Sequence, residues 1–410
     1  MSRLSGKTIV LGVSGGIAAY KSAEIVRQLI TRGANVRVMM TRNATEFIAP
    51  LTLQTLAQSP VATDTFNLTQ ESQIGHIRLA DSADAVVIAP ATADIIAKAA
   101  TGIADDIVTT VLLATRAPVA FAPAMNVQMY AHPTVAENLA KLRARGATII
   151  EPAEGELACG YEGKGRLPDP AFIVEELERM LSPHDLASER ILVTAGPTQE
   201  AIDPVRFVSN RSSGKMGFAI ARAAWRRGAH ARIIAGPSSI ATPYGIERID
   251  AVSAGELLAA TSRNFPWSTA LVMAAAIADF RPAEPSAHKV KKNHKGLVLQ
   301  MESIADEMPR IAAKKGNRIL VGFAAETENL EANARDKLKR KHLDMIVAND
   351  VTQEGAGFAV DTNIVTIYGA DGSAENHPKL TKDEVADLIL DRMVALRARK
   401  SKSRPLHAVR

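Results

Sequence analysis

The sequence predicts an α/β protein of two doubly wound domains, and three observations carry that expectation. Apolar residues make up 47% of the 410-residue chain but aromatics only 4%. Such an Ala-, Ile- and Val-rich composition suits parallel sheets covered by helices better than a β-sandwich. A strand, glycine turn, helix, strand pattern opens the chain and recurs near residue 190. The length also exceeds what one core usually supports, so two domains are the natural division.

Taken in order, residues 7–13 (KTIVLGV) form a short apolar run of strand type, ended by Ser14-Gly15-Gly16. Residues 17–32 are helical by period and composition, and 35–40 make a second strand. In the second copy, 191–195 is a strand, 196–213 a long loop, 214–227 a helix and 230–235 a strand. Both helices end in Arg-Gly-Ala, where Gly33 and Gly228 can close the helix. Further strands are expected at 85–89 and 119–122 in the first half, and at 270–274, 319–323 and 345–348 in the second. The domains are thus 1–181 and 190–396, joined by a polar linker 182–189 that contains Pro183. Both are Rossmann-like in winding, and ligands are expected at the carboxyl ends of their strands.

The formal charge of +5 and isoelectric point near 9.2 suggest a nucleic-acid partner, but the distribution argues against one. Residues 397–410 hold six basic side chains and no acidic one, which leaves the rest of the chain one unit negative. That tail reads as a disordered, solvated charge run. A single cysteine, Cys159, allows no internal disulfide and points to a reducing compartment. With no signal-peptide pattern and no 18-residue apolar run, the expected location is the cytoplasm, with no membrane or nucleic-acid partner.

Several residues stand where chemistry is possible. Ser14-Gly15-Gly16-Ile17 lies between a strand and a helix, where backbone N–H groups can hold a phosphate. Its incomplete G-x-G-x-x-G argues against an ordinary dinucleotide site, and many such turns use glycine for geometry alone. The next strand ends at Thr41, and later ones run into Pro90-Ala91-Thr92 and Ala122-Pro123-Ala124-Met125-Asn126. Asn126 can grip a carboxylate or simply cap the following helix. His76, in Ile74-Gly75-His76-Ile77, can exchange a proton near neutral pH or be a surface residue at a helix start. Cys159 sits in ACGYEGKGR, too polar and glycine-rich for a core, and a cysteine beside Lys and Arg reads as reactive.

SGGIAAYK, GHIRLA, IAPATADIIAKAA, APAMN and ACGYEGKGR, in this order over residues 1–180, resemble the phosphopantothenoylcysteine decarboxylases, FMN-dependent cysteine decarboxylases. Loss of CO₂ from a cysteinyl carboxylate leaves an unstabilised carbanion unless an electron sink is present. The resemblance implies FMN as that sink, with transient oxidation of the thiol to a thioaldehyde and return of the electrons after CO₂ has left. It implies His76 as base and carboxylate neighbour, Asn126 as carboxylate holder and Cys159 as the final proton donor. Ser14, Gly15, Gly16, Ile17, Thr41, Ala91 and Thr92 would contact FMN. Where the family often has Met after Gly165-Arg166, this chain has Leu167, of similar volume and polarity.

In the second half, AGPTQEAIDPVRFVSNRSSGKMG ends at a helix N-terminus and superficially suggests a P-loop. Ser209 stands where the first glycine belongs and Met216 where a magnesium-binding hydroxyl belongs, so the P-loop fails, although Asn210, Ser212, Ser213 and Gly214 can still meet an anion. MAAAIADFRP (273–282) ends a strand, and His288-Lys289-Val290-Lys291-Lys292 follows, by itself a solvated charge run. Lys337 and Lys341, four apart on one helix face, suggest an anion between them. With GFAAET and ANDV, these segments resemble phosphopantothenate–cysteine ligase over about residues 188–396.

That resemblance implies activation of the 4′-phosphopantothenate carboxylate by CTP with Mg²⁺, giving an acyl-cytidylate and pyrophosphate. The amine of L-cysteine then displaces CMP. Asn210 would position the carboxylate and acyl intermediate, and Lys289 would neutralise phosphate charge. Met273, Ala274, Ala275, Asp279, Lys289, Phe323, Lys337 and Lys341 would form the CTP pocket, and the metal ligands stay unassigned. Many members carry Asn-Pro-Asp-Ile where this chain has Ser303–Met308 (SIADEM), which puts nucleotide contacts at 305–308 in doubt. Analogy with relatives implies a homo-oligomer, with the FMN site between subunits of a trimer and the ligase halves paired as dimers. Two other readings stay open: a flavin decarboxylase acting on a peptide's C-terminal cysteine, which the ligase half disfavours, and a regulatory FMN-binding flavoprotein without turnover.

Overall fold

A computed structural model of the chain describes residues 2–65, 75–156, 160, 162–292, 296–350, 352–353, 355, 357 and 360–402. The chain divides into two compact units, Met1–Ser182 and Pro183–Arg410.

Unit 1 is wound on a six-stranded sheet: β1 (Thr8–Val13), β2 (Asn35–Met40), β3 (Val61–Ala62), β4 (Ala85–Ala91), β5 (Val119–Pro123) and β6 (Thr148–Ile149). Every pairing is parallel and the order is β3-β2-β1-β4-β5-β6, so the winding reverses between β1 and β4. The near-continuous apolar runs are explained by burial on both faces. Ile9, Leu11 and Val13 enter one core with Val87 and Ala89, while Val10 enters the other with Val86 and Ile88. The first core is covered by α1 (Ser22–Thr31), α2 (Pro50–Ala57) and α8 (Pro170–Met180). The second lies under α3 (His76–Ser82), α4 (Ala93–Thr101), α5 (Ile107–Ala114) and α7 (Pro133–Ala144). A short α6 (Val127–Ala131) precedes α7, and an antiparallel hairpin, β7 (Ala153–Glu156) and β8 (Glu162–Arg166), precedes α8.

The helix expected over 17–32 is in fact two pieces. Ile17–Lys21 is a 3₁₀ turn and α1 starts at Ser22, whose hydroxyl donates to the carbonyl of Ala89 at 2.9 Å in the interior. That bond pins the helix start to the end of β4. Gly33 closes α1 at φ +82°, and Gly228 closes the equivalent helix of unit 2 at φ +90°, the left-handed position where a side chain is strained.

Unit 2 repeats the winding and extends it. Its strands are β9 (Arg190–Ala195), β10 (Gln199–Ala201), β11 (Phe207–Ser209), β12 (His230–Ala235), β13 (Glu247–Asp250), β14 (Ala270–Met273), β15 (Phe280–Pro282), β16 (Met301–Ser303), β17 (Ile319–Glu326), β18 (Met345–Asp350), β19 (Thr362–Asn363), β20 (Thr366–Gly369), β21 (Ala374–Asn376) and β22 (Leu380–Thr381). The main sheet runs β13-β12-β9-β14-β17-β18-β20-β21, parallel as far as β18 and then antiparallel. Its switch point lies between β9 and β14. Residues 196–213, expected as a plain loop, contain the β10–β11 hairpin, and β15–β16 and β19–β22 are further small antiparallel pairs.

One face carries α10 (Ala254–Asn264), α11 (Met308–Ala312) and α12 (Leu330–Arg340) over a core of Leu192, Ile234, Leu271 and Leu320. The other carries α9 (Lys215–Arg226) packed on α13 (Lys382–Lys402), with Ile220, Val385 and Ile389 buried. Arg227, just past α9, is 2% exposed and donates to Asp185 (2.5 Å) and Asp391 (2.6 Å), tying the start of the unit to α13.

The basic tail departs from expectation at its start. Residues 397–402 continue α13, and Arg397, Arg399 and Lys400 pair with Glu189 (2.7 Å), Asp371 (2.5 Å) and Asp344 (2.9 Å). Acidic partners brought up by the fold, invisible in a local charge count, turn a charge run into a docked helix end. Residues 403–410 lie outside the described set. Among the described residues no helix is long and apolar enough to cross a membrane.

Candidate functional site

In each unit several of the expected site residues lie at the carboxyl ends of strands beside the switch point, where open α/β sheets bind ligands. In unit 1, Ser14 follows β1 and is 1% exposed; its hydroxyl donates to Pro90 O (2.7 Å) and accepts from the Thr92 N–H (3.0 Å). One side chain therefore ties the β1 turn to the β4 turn. Thr41 caps the next turn through a bond from the Ala44 N–H, and its own N–H donates to Val13 O at 3.0 Å. A side chain at Gly15 would overlap Asn43, whereas Gly16 has only the Thr92 methyl nearby, at 3.6 Å from where a Cβ would stand. Ala91 is fully buried, and Ile17 is exposed. Ser14, Gly16, Thr41, Ala91 and Thr92 thus form one rim with an open, glycine-floored turn.

Asn126 continues that rim after β5. It caps α6, its side-chain oxygen accepting from the Gln128 N–H at 2.8 Å. The β7–β8 hairpin is laced to the same loop by a 3.0 Å bond from Met125 N–H to Gly165 O. At its base, Glu151 accepts from Tyr130 (3.0 Å) and pairs with Lys164 (2.6 Å) and Arg143. Burial and the Glu151 charge push the Tyr130 hydroxyl up to about 12. Burial alone would raise Glu151, but the bonds from Lys164 and Tyr130 carry it below its ordinary value. Leu167 is buried in the core, as a substitute for Met can be. Cys159, between the hairpin strands, lies outside the described residues.

His76 is the first residue of α3, and its Nδ1 is buried with no hydrogen-bond partner among the described residues. It lines a cavity of about 550 Å³ formed, among the described residues, by residues of 75–82. Within one chain, then, the rim residues do not line the His76 cavity.

In unit 2 the switch point opens into a cavity of about 1040 Å³. Asn210, Met273, Ala274, Ala275, Asp279, Phe323, Lys337 and Lys341 all line it. Asn210 follows β11, and its amide donates to the carbonyls of Ala276 (3.1 Å) and Ile277 (3.2 Å). The turn it grips is itself cross-tied, with Ala275 N–H donating to the Thr194 hydroxyl and Ala278 N–H to that of Thr198. Lys289 differs: it is exposed on the segment after β15 and does not line the cavity. The stretch in place of Asn-Pro-Asp-Ile does line it, through Ile304, Ala305, Asp306 and Met308. Asp306 binds Lys341 at 2.8 Å; burial would raise its carboxyl, but Lys341 and the Met308 N–H hold it below the usual range. Sequence reasoning missed Arg340, Asn349, Asn363 and Lys382, which also line the cavity. Of these, Arg340 carried a signal in the basic stretch 334–344, and Asn349 carried one as part of the ANDV segment. Among the described residues no group of three or more His, Cys, Asp or Glu side chains is placed to hold a metal.

Lys337 is pushed below the ordinary lysine value of 10.5, first by burial and then by Lys341. Unliganded, this shift costs stability where the ammonium is charged, and the cost fades as pH rises through the folded value. An anion bound between the lysines would restore the charged form. Anion binding here at alkaline pH should therefore take up protons, measurable as a buffer-dependent heat in calorimetry and abolished by Lys337→Met. Heats identical across buffers would contradict it.

Fold and site together define a tandem of two Rossmann-like domains, each with polar residues gathered at its switch point. Residues 1–182 match the flavoprotein family and residues 186–396 the DNA/pantothenate metabolism flavoprotein C-terminal domain. The coenzyme A biosynthesis bifunctional protein CoaBC of Bacillus subtilis is 47% identical over 397 residues, 96% of this chain and 98% of that protein. Its namesake from Escherichia coli K12 is 47% identical over 396 residues, 95% and 97% of the two chains. The solved C-terminal domain of a CoaBC protein is 38% identical, with a TM-score of 0.45, covering 52% of this chain and 97% of that one. The chain belongs to the family of bifunctional coenzyme A biosynthesis proteins.

Proposed function

We propose that the chain carries out two consecutive steps of coenzyme A synthesis: unit 2 joins L-cysteine to 4′-phosphopantothenate at the expense of CTP, and unit 1 decarboxylates the product to 4′-phosphopantetheine. The observation that carries this reading is the match to bifunctional relatives along 96% of the chain, which includes both units.

The glycine-floored turn of unit 1, closed by Ser14 and Thr92, fits a flavin phosphate, with Gly15, Ile17, Thr41 and Ala91 around it. FMN, when bound, supplies a reversible two-electron sink for the cysteinyl thiol. The protein's own residues handle the rest. Asn126 holds the substrate carboxylate by its amide. His76, at a helix start with an unsatisfied ring nitrogen, takes a proton and keeps the carboxylate oriented while CO₂ leaves. Cys159 returns a proton at the end.

In unit 2, Asn210 orients the 4′-phosphopantothenate carboxylate toward the α-phosphate of CTP. Lys337 and Lys341 face the phosphates, Ala275, Asp279 and Phe323 enclose the nucleotide, and Lys289 adds its charge when the basic segment closes. Mg²⁺ enters on the nucleotide's phosphates, the usual way this ion is held. By analogy with relatives, the chain assembles as a homo-oligomer with a trimeric decarboxylase core and paired ligase halves. The cytoplasm suits the thiol chemistry.

The visible absorption spectrum of the purified protein, and product formation with CTP or ATP, test the reading. Bound flavin and CTP-dependent 4′-phosphopantetheine are expected. A colourless protein that yields neither acyl-nucleotide nor product would refute it.

A further inference from the structure

Between β10 and β11 the chain turns at residues 202–206, and this turn does more than reverse direction. Asp203, 4% exposed, accepts from five donor groups. One oxygen takes the N–H groups of Val205 (2.8 Å) and Arg206 (2.9 Å), which shape the turn. The other takes the Arg206 guanidinium through Nε (2.9 Å) and Nη2 (2.5 Å), and the N–H of Val290 (3.1 Å). Arg206 completes the contact by donating to the Val290 carbonyl at 2.5 Å. Ser286 N–H donates to Ile202 O at 2.9 Å on the same turn.

Both backbone groups of Val290 are therefore held by one ion pair, one residue away from Lys289. The other end of the hairpin runs straight into Asn210, whose amide grips the cavity wall at Ala276 and Ile277. An exposed, lysine-rich segment pays a large entropic cost to order, and a fixed foot next to Lys289 shortens the part that must be ordered when it closes. We infer that Asp203 is a positioning residue of the ligase site: with Arg206 it anchors the foot of the basic segment, so that Lys289 swings from a fixed point registered to Asn210. The inference rests on the proposed role of Lys289 in carboxylate activation. Arg206 holds Asp203 well below the ordinary carboxylate range, so the anchor is charged throughout the working pH range.

The test uses the full-length flavin-loaded protein and follows pyrophosphate release from CTP and 4′-phosphopantothenate without cysteine. Asp203→Asn is nearly isosteric, yet it places an amide N–H₂ against the Val290 N–H and Arg206, or else leaves the turn N–H groups without an acceptor. It should lower kcat for activation by about 10- to 100-fold, the scale of a group displaced by about 1 Å, with KM for CTP nearly unchanged. Hydrogen exchange over 286–292 should rise. Because Asp203 acts through Lys289, the double variant with Lys289→Gln should lose no more than Lys289→Gln alone; simply additive losses, as from a general structural defect, would overturn the inference. If Asp203→Asn does not fold, Arg206→Lys, which keeps a charge beside Asp203 but loses the fork that also reaches the Val290 carbonyl, should give the same pattern. Wild-type ligation by Lys289→Gln would instead overturn its proposed role; exchange over 286–292 would then decide the anchor, and an unchanged rate would refute it.

Discussion

Replacing His76 by Asn is expected to slow decarboxylation by about 10²- to 10⁴-fold, the usual contribution of a positioned acid–base group. Ligation should stay within about threefold of wild type, so that 4′-phosphopantothenoylcysteine accumulates. An imidazole exchanges a proton near neutral pH, whereas an amide keeps polarity and approximate shape without that capacity. The thermal midpoint should not fall, because Nδ1 has no hydrogen-bond partner to lose among the described residues. Product analysis by mass spectrometry alongside a melting curve checks both parts. A variant that melts normally and still decarboxylates at the wild-type rate would remove His76 from the chemistry.

Asn210→Asp should do the opposite. The amide donates to two carbonyls of the β14–β15 loop, Ala276 and Ile277. A carboxylate there presents acceptor to acceptor, opens the turn and sets a negative charge at the mouth of a site that must admit another carboxylate. In its proposed role the same amide also serves the reacting carboxylate, and loss of a donor aimed at developing charge costs about 10²- to 10³-fold in kcat. Ligation should fall on that scale, while decarboxylation of supplied 4′-phosphopantothenoylcysteine is untouched. Equal losses in both reactions would mean that the substitution damages the protein generally.

The sequence made the winding of both units legible because central parallel strands are buried on both faces and read as unbroken apolar runs, as in VLGV before Ser14 and ILVTA before Gly196. Strands of two or three residues left no such trace. The β10–β11 hairpin, the antiparallel extension β20–β21 and the 3₁₀ turn at Ile17 depend on pairing and packing with distant segments rather than on local periodicity. The rim residues Ser14, Thr41, Thr92 and Asn126 were legible for a simple reason: each follows an apolar strand, and strand ends are where such sheets bind. Asn363 and Lys382 were not, since they reach the cavity from late segments whose own sequence says nothing about it, whereas Asn349 lies within the ANDV segment that marked the second half. The docking of Arg397, Arg399 and Lys400 on Glu189, Asp371 and Asp344 was hidden in the same way, because ion pairs across up to 208 residues of chain leave no local signature.

In this reading one chain holds two separate sites for consecutive steps, connected by a diffusing intermediate. The most direct measurement mixes the His76→Asn and Asn210→Asp proteins with 4′-phosphopantothenate, L-cysteine, CTP and Mg²⁺, and follows 4′-phosphopantetheine by mass spectrometry. Each variant alone should form almost none, and the equimolar mixture should regain a large fraction of wild-type flux after a lag set by the build-up of 4′-phosphopantothenoylcysteine. A mixture as inactive as its components, with each variant folded and flavin-loaded, would contradict two independent sites.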